Sequence, residues 1–206
     1  MESIFTAPDA WSGGAYELAL QYASTSLSIT DAALRALWTG PNVGQCYLRD
    51  DVEPEEQHAV ELADFRGMIE TLYGTCVLRN SIRVAAHSRV IPYDDGPFWV
   101  YFGFPMGSLD RAYPVGAYPF GDGSSLAWRD HVDDWLRALA SHVFYTVPFD
   151  CALIGHEPEK SFADDLVSGV PERRWEGIML RRGTSLEWFP PTEGAPFTFP
   201  GSGHDG

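Results

Sequence analysis

The chain has 206 residues, 45% hydrophobic and 14% aromatic, which is enough apolar surface for one folded domain and too much for a disordered chain. Its 29 acids against 14 bases give a formal net charge of −15, which repels phosphate backbones and anionic lipid, so neither nucleic acid nor membrane is an expected partner. Three cysteines without a CxxC pair argue against a disulfide framework or a zinc knuckle, and no apolar run approaches the roughly 20 residues of a membrane span.

Residues 1–5 carry no basic segment ahead of an apolar stretch, so no secretory signal is expected and a cytoplasmic location follows. Trp11-Ser12-Gly13-Gly14 reads as a turn into a first strand. There Tyr16, Leu18, Leu20 and Tyr22 alternate with Ala15, Glu17, Ala19 and Gln21. A helix is expected from Thr30 and Asp31, with Leu34, Leu37 and Trp38 at helical spacing and Gly40-Pro41 as its stop. Residues 42–49 suit a short strand around Cys46-Tyr47-Leu48.

From Asp50 to Phe65 the composition shifts to seven acids (Asp50, Asp51, Glu53, Glu55, Glu56, Glu61 and Asp64) with no Lys or Arg among them. The first half of this stretch, with Pro54, is expected to be a loop and the second half a helical turn. Tyr73 to Leu78 reads as a strand. Ile82, Val84, Ala86, Ser88 and Val90 alternate through a second, and the turn cluster Pro92–Pro97 leads to the aromatic strand Phe98–Phe104. Three such strands make an antiparallel meander. The Gly- and Pro-rich stretch from Pro105 to Gly123 is expected as an ordered surface loop whose Tyr113, Tyr118 and Phe120 close the edge of the core or, on the alternative reading, serve as anchors in an interface.

The strongest helix signal runs from about Ser125 to Tyr145. Trp128, Val132, Trp135, Leu136, Leu139 and Val143 form its apolar stripe, with Arg129, Asp130, Asp133, Asp134 and Arg137 largely outside it. Cys151–Ile154 is a short buried strand, and Trp175–Phe189 a last hairpin turning near Arg182-Gly183-Thr184. The expected fold is α+β: an antiparallel sheet of meander plus C-terminal hairpin, with helices packed on one face. Residues 1–191 are expected to form one domain and 192–206 a flexible tail.

The common catalytic motifs are missing: no GxSxG, GxxxxGK[ST], GxGxxG after a strand, HExxH or EF-hand loop occurs. Gly121–Ser125 has the composition of a phosphate loop but no lysine, and suits a helix cap. His131, Asp134 and His142 share a helix face without the further ligands a metal site needs. Asp150-Cys151 and His156-Glu157 are the one grouping that suggests a thiol with a base. A nucleophilic thiol wants electropositive surroundings, however, and this one has acids and an apolar run beside it. No catalytic residue, cofactor or metal is expected.

The seven acids admit two readings: a solvated loop, or a negative surface that captures a basic cleft and steers its approach. On the second, Asp50, Asp51, Glu53, Glu55, Glu56, Glu61 and Asp64 are the candidate partner-binding residues. Trp11–Gly14, Tyr113–Phe120, Pro148–Asp150 through Ile154–Glu157, and Trp188–Pro191 are similar to patterns of immunity proteins that protect bacteria from polymorphic or contact-delivered toxins. The resemblance implies a catalytically bare protein that binds and neutralises a cognate toxin, such as a type VI secretion effector. A nuclease with a basic cleft would suit an acidic blocker. The alternatives are a small enzyme built on Cys151 and His156, or a chaperone or adaptor for a secreted effector.

Overall fold

The computed structural model describes residues 3–23, 26–61, 63, 71–91, 98–116, 126–158, 166 and 169–193. The strands are β1 (Ala15–Tyr22), β2 (Val43–Tyr47), β3 (Leu72–Val77), β4 (Arg83–Ile91), β5 (Phe98–Pro105), β6 (Cys151–His156), β7 (Gly177–Arg182) and β8 (Ser185–Phe189). The helices are α1 (Leu27–Trp38), a single turn α2 (Met106–Leu109) and α3 (Ala127–Thr146). Among the described residues the strands form one sheet in the order β2-β3-β4-β5-β1-β6-β7-β8, with every pairing antiparallel. The chain is an α+β protein, and no helix among the described residues is long and apolar enough to cross a membrane.

The expected meander is β3-β4-β5 and the expected hairpin is β7-β8. What local pattern does not reveal is that β1 lies between β5 and β6, so that the first strand joins the meander to the C-terminal half. Its alternation then decides which residues meet the helices. Tyr16, Leu18, Leu20 and Tyr22 enter one continuous core with Leu34, Leu37 and Trp38 of α1 and Trp128, Val132, Leu136, Leu139 and Val143 of α3. Trp135 is half-buried and lies against Phe102 and Phe104 of β5 at ring distances of 6.2 and 5.1 Å. Trp38 needs Gly74 beneath it: a Cβ there would come within 2.3 Å of the indole. Its ring nitrogen donates to Ser88 Oγ at 2.9 Å, which satisfies the polar atom that burying Trp38 brings in.

Some boundaries differ from expectation. Helix α1 starts at Leu27, one turn ahead of Thr30, whose hydroxyl bonds back to the Ser26 carbonyl inside the helix instead of capping it. The stretch after Pro105 turns into α2, where Ser108 Oγ accepts the Ala85 N–H at 2.7 Å just beyond the last β5 residue. Tyr113 and Val115 are buried, in line with core closure, whereas Tyr118 and Phe120 lie outside the described residues, as does Gly121–Ser125. Thr192 and Glu193, expected in the tail, are held to the body: both backbone N–H groups donate to the Arg174 carbonyl, and Glu193 pairs with Arg173.

The largest departure is on α3. Arg129 and Asp133 are each only 5% exposed, although their positions in the helical pattern read as polar. The segment before β7 covers that side of the helix and turns a surface face into an interior one. The second face of the sheet is not bare either. Two smaller apolar clusters lie on it, one around Trp99, Tyr101, Leu153 and Ile178 and one around Ile4, Phe5, Tyr47 and Ala85.

Candidate functional site

The acidic segment leaves the end of β2 and passes along the outer edge of the sheet. Its backbone is pinned early: Trp11 Nε1 donates to the carbonyls of Phe5 (2.9 Å) and Asp50 (3.3 Å), and Gln57 Nε2 donates to those of Arg49 (2.9 Å) and Val52 (2.7 Å). Pro54 is buried and opens a single 3-10 turn through Glu56. Beyond it, the Val60 N–H donates to the Cys46 carbonyl of β2 at 2.8 Å.

The carboxylates have different fates. Asp51 takes a two-pronged bond from Arg49, one residue ahead of the acid run, at 2.9 and 2.8 Å, and this holds its carboxyl below the ordinary value. Glu55 accepts from Arg83 of β4 at 3.0 Å, with the same effect. Glu53 is a structural clamp. Its oxygens accept the N–H groups of Ile4, Phe5 and Thr6 and the Thr6 hydroxyl at 2.7 to 3.3 Å. Burial pushes this carboxyl up, but the Thr6 hydroxyl and the three backbone donors outweigh it and bring it down to about 2.

Asp51, Glu53 and Glu55 therefore each have a partner within the chain, so three of the seven candidate residues are already engaged. The two arginines and the N-terminal donors responsible lie outside the acid run, which is why composition within the window missed them. Asp50, Glu56 and Glu61 have no cationic partner among the described residues; Asp64 lies outside them. Glu56 and Glu61 are exposed and Asp50 is half-buried. Burial raises the Tyr73 hydroxyl, and the charge of Asp50 adds to it, so that carboxylate acts on the near end of β3. Leu48, between β2 and the acids, is 50% exposed. A groove of about 460 Å³ follows the β2 edge, lined among others by Trp38, Val43, Cys46, Val60 and Glu61.

The other candidate groupings come apart. Cys151 lies on the second face of β6, with its thiol donating to Gln21 Oε1 at 3.1 Å and pushed up to about 12 by burial and then by Asp150. His156 is at the far end of the same strand and, five residues on, points to the opposite face, where its Nε2 meets the Gly13 carbonyl at 3.1 Å. The thiol and imidazole do not converge. His131 stacks on Tyr113 and meets Arg79 at 3.2 Å, while Asp134 pairs with Arg137, so neither is aimed at a shared ion. No group of three metal-ligating side chains occurs among the described residues.

Two buried polar networks escaped the sequence reading. On the helix face, Tyr16 donates to Asp133 at 2.6 Å. Arg129 donates from Nε to the Tyr16 oxygen at 2.8 Å and from Nη2 to the Trp175 carbonyl, and its guanidinium lies 4.4 Å above the Trp175 ring. Burial pushes the Asp133 carboxyl up to about 6, against the pull of Arg129 and the Tyr16 bond. On the second face, Glu17 of β1 is fully buried. It accepts from His87 Nε2 at 3.0 Å and from Arg89 Nη2 at 2.7 Å, and Arg89 lies 4.8 Å from the centre of the Tyr101 ring. Gly103 makes room for it, since a Cβ there would stand 2.6 Å from the Glu17 side chain. The signal available in sequence was the small size of Ala15 and Ala19 beside Glu17, which suits a covered face better than a wet one.

No protein-family model, curated protein or solved structure matches the chain.

Proposed function

We propose that this chain is a binding protein of the immunity type, which captures a toxin through the acidic surface that follows β2 and thereby blocks it. What supports the reading is the charge left after internal pairing. Asp50, Glu56 and Glu61 stay without a cationic partner among the described residues, beside the half-exposed Leu48, in a chain of net charge −15. Like charges gathered in one segment stabilise nothing locally, whereas facing a basic surface they steer association and set its register. A half-exposed aliphatic residue beside them offers the partner an apolar contact within the charged rim. A toxin with a basic cleft, such as a nuclease delivered by a type VI secretion system, fits that surface.

The test is a toxin encoded beside the gene, co-expressed with this chain. A one-to-one complex that abolishes toxicity is expected, with an association rate that falls as salt rises. The combined variant Asp50→Asn, Glu56→Gln, Glu61→Gln should slow association about tenfold and flatten its salt dependence, with unfolding unchanged. Unaltered association in that variant overturns the acidic-surface reading. A complex in which the partner stays fully active points instead to a chaperone or adaptor.

A further inference from the structure

The N-terminal strap, Ile4 to Trp11, is tied by its polar groups to the acidic segment. Among the described residues, no backbone bond joins Ile4–Pro8 to a strand. The N–H groups of Ile4, Phe5 and Thr6 instead reach the two oxygens of Glu53, one of which also accepts the Thr6 hydroxyl at 2.7 Å. Trp11 closes the same contact from the other end of the strap. Its indole N–H is shared between the Phe5 carbonyl and the Asp50 carbonyl of the acidic segment.

Glu53 is set in place by its own backbone. Proline disfavours a helical conformation in the residue before it, and Glu53, ahead of Pro54, is extended with φ −60° and ψ 148°. Its carbonyl accepts the Glu56 N–H at 3.0 Å, which closes the turn that carries the exposed Glu56. One residue therefore grips the strap with its side chain and shapes the acidic turn with its backbone. The apolar side of the strap lies on the strands beside that turn. Phe5 is buried with its ring centre 6.1 Å from that of Tyr47 in β2, and Trp11 lies 5.1 Å from Tyr73 in β3. The strap ends at Gly13 and Gly14, whose φ of 80° and 71° turn the chain into β1, and the Gly107 N–H on the Ser12 carbonyl fixes that end.

We propose that the strap and the acidic turn form one two-state latch closed by Glu53, and that the strap thereby sets how the turn meets a partner. The partner is that of the toxin-binding reading, on which this rests, and Glu53 is a positioning residue that the partner does not touch. The latch follows from the cost of unanswered polar groups. If the turn moves away, the N–H groups of the buried Ile4 and Phe5 lose their acceptor; if the strap lifts, the Glu53 carboxylate loses its four donors. Neither opens without weakening the other. A turn fixed before contact spares the partner the cost of ordering it, and by linkage a partner that holds the turn also holds the strap.

Amide exchange in the free chain reads the latch without a partner. Phe5→Ala loosens the strap from Tyr47 and Trp11 and leaves every carboxylate in place. It is expected to speed exchange at Glu56 about tenfold, together with Ile4 and Thr6, and to leave Val143 of α3 unchanged. Thr6→Val removes one of the four donors from an exposed residue, so it tests the same coupling should Phe5→Ala not fold, with about threefold faster exchange at Glu56. Against the toxin encoded beside the gene, Phe5→Ala should slow association about threefold and keep the parent's salt dependence, because only the placement of the charges has changed. Exchange at Glu56 that stays at the parent rate in both variants overturns the latch and leaves the acidic-surface reading intact. Coupled exchange with unaltered association overturns the positioning role alone. Coupled exchange in a chain that forms no toxin complex removes the toxin reading, and the positioning role with it, while the latch stands.

Discussion

The two faces of the sheet are covered in different ways. One face meets two helices whose apolar stripes merge with four alternating positions of β1 into a single core. The other is covered by irregular chain: the N-terminal residues from Ile4 to Trp11, the stretch after β2 and the approach to β7. Its apolar contacts fall into two separate clusters. Glu17, His87 and Arg89 occupy the strip of β1 and β4 between them. Each face thus carries a carboxylate held by the fold, but of opposite character. Asp133 is lifted by burial beneath the segment before β7, while Glu53, at the rim of the second face, is held down by four donors from the N-terminal strap. Regular elements satisfy their own backbone and can bury side chains freely. Irregular cover leaves N–H and C=O groups that side chains must answer, which is the role Glu53 and Trp11 have.

That contrast can be broken most sharply at Arg129. Arg129→Met leaves the Tyr16 oxygen and the Trp175 carbonyl buried without their donor and Asp133 buried without its cation, and should cost about 3–5 kcal/mol in a denaturant titration. Loss of less than about 1 kcal/mol would mean the network is not integral to the helix face. Glu17→Ala, on the second face, should cost about 2–3 kcal/mol, less because the Arg89 it strands still reaches water. Glu53→Ala should cost about 1–2 kcal/mol, toward the low end of charged hydrogen bonds because the carboxylate is partly open. It should also speed proteolysis ahead of Gly13 while the helix face stays protected, which would show that the strap opens on its own.

The two carboxylates also predict opposite pH effects. Asp133 titrates higher in the folded chain than the ordinary value of about 3.9, so the folded state binds its proton more readily. Its contribution is fully present below about pH 4 and is lost as pH rises through about 6. Glu53 titrates lower when folded, so its contribution is present above about pH 4 and is lost as pH falls toward about 2. Unfolding free energies of Asp133→Asn and Glu53→Gln, each subtracted from the parent across this range, should slope in opposite directions. Equal slopes would refute the difference between the faces. The smallest expected effect is that of Asp50→Asn with Glu56→Gln, which should leave stability within about 0.5 kcal/mol because neither carboxylate carries a contact that the fold uses.

Much of the architecture was legible in the residues. The alternation in β1, β4 and β5 and the stripe of α3 depend on periods of two and 3.6, which local sequence carries directly. The site was legible only in part. Seven acids in one window read as a patch, yet Arg49, Arg83 and the strap residues Ile4 to Thr6 engage three of them from outside the window. Glu17 and Asp133 read as wet and are interior, because burial depends on what the rest of the chain lays over them.

By itself the sequence determined the class of fold, the faces of its strands and helices, and a charge that disfavours nucleic acid. Those are properties of short windows and of sums over the chain. Only the tertiary structure decided that β1 sits between β5 and β6, that Cys151 and His156 face opposite ways, and which acids have no cationic partner among the described residues. Strand order and ion pairing bring together residues far apart in the chain, and no local pattern encodes which distant segment will arrive.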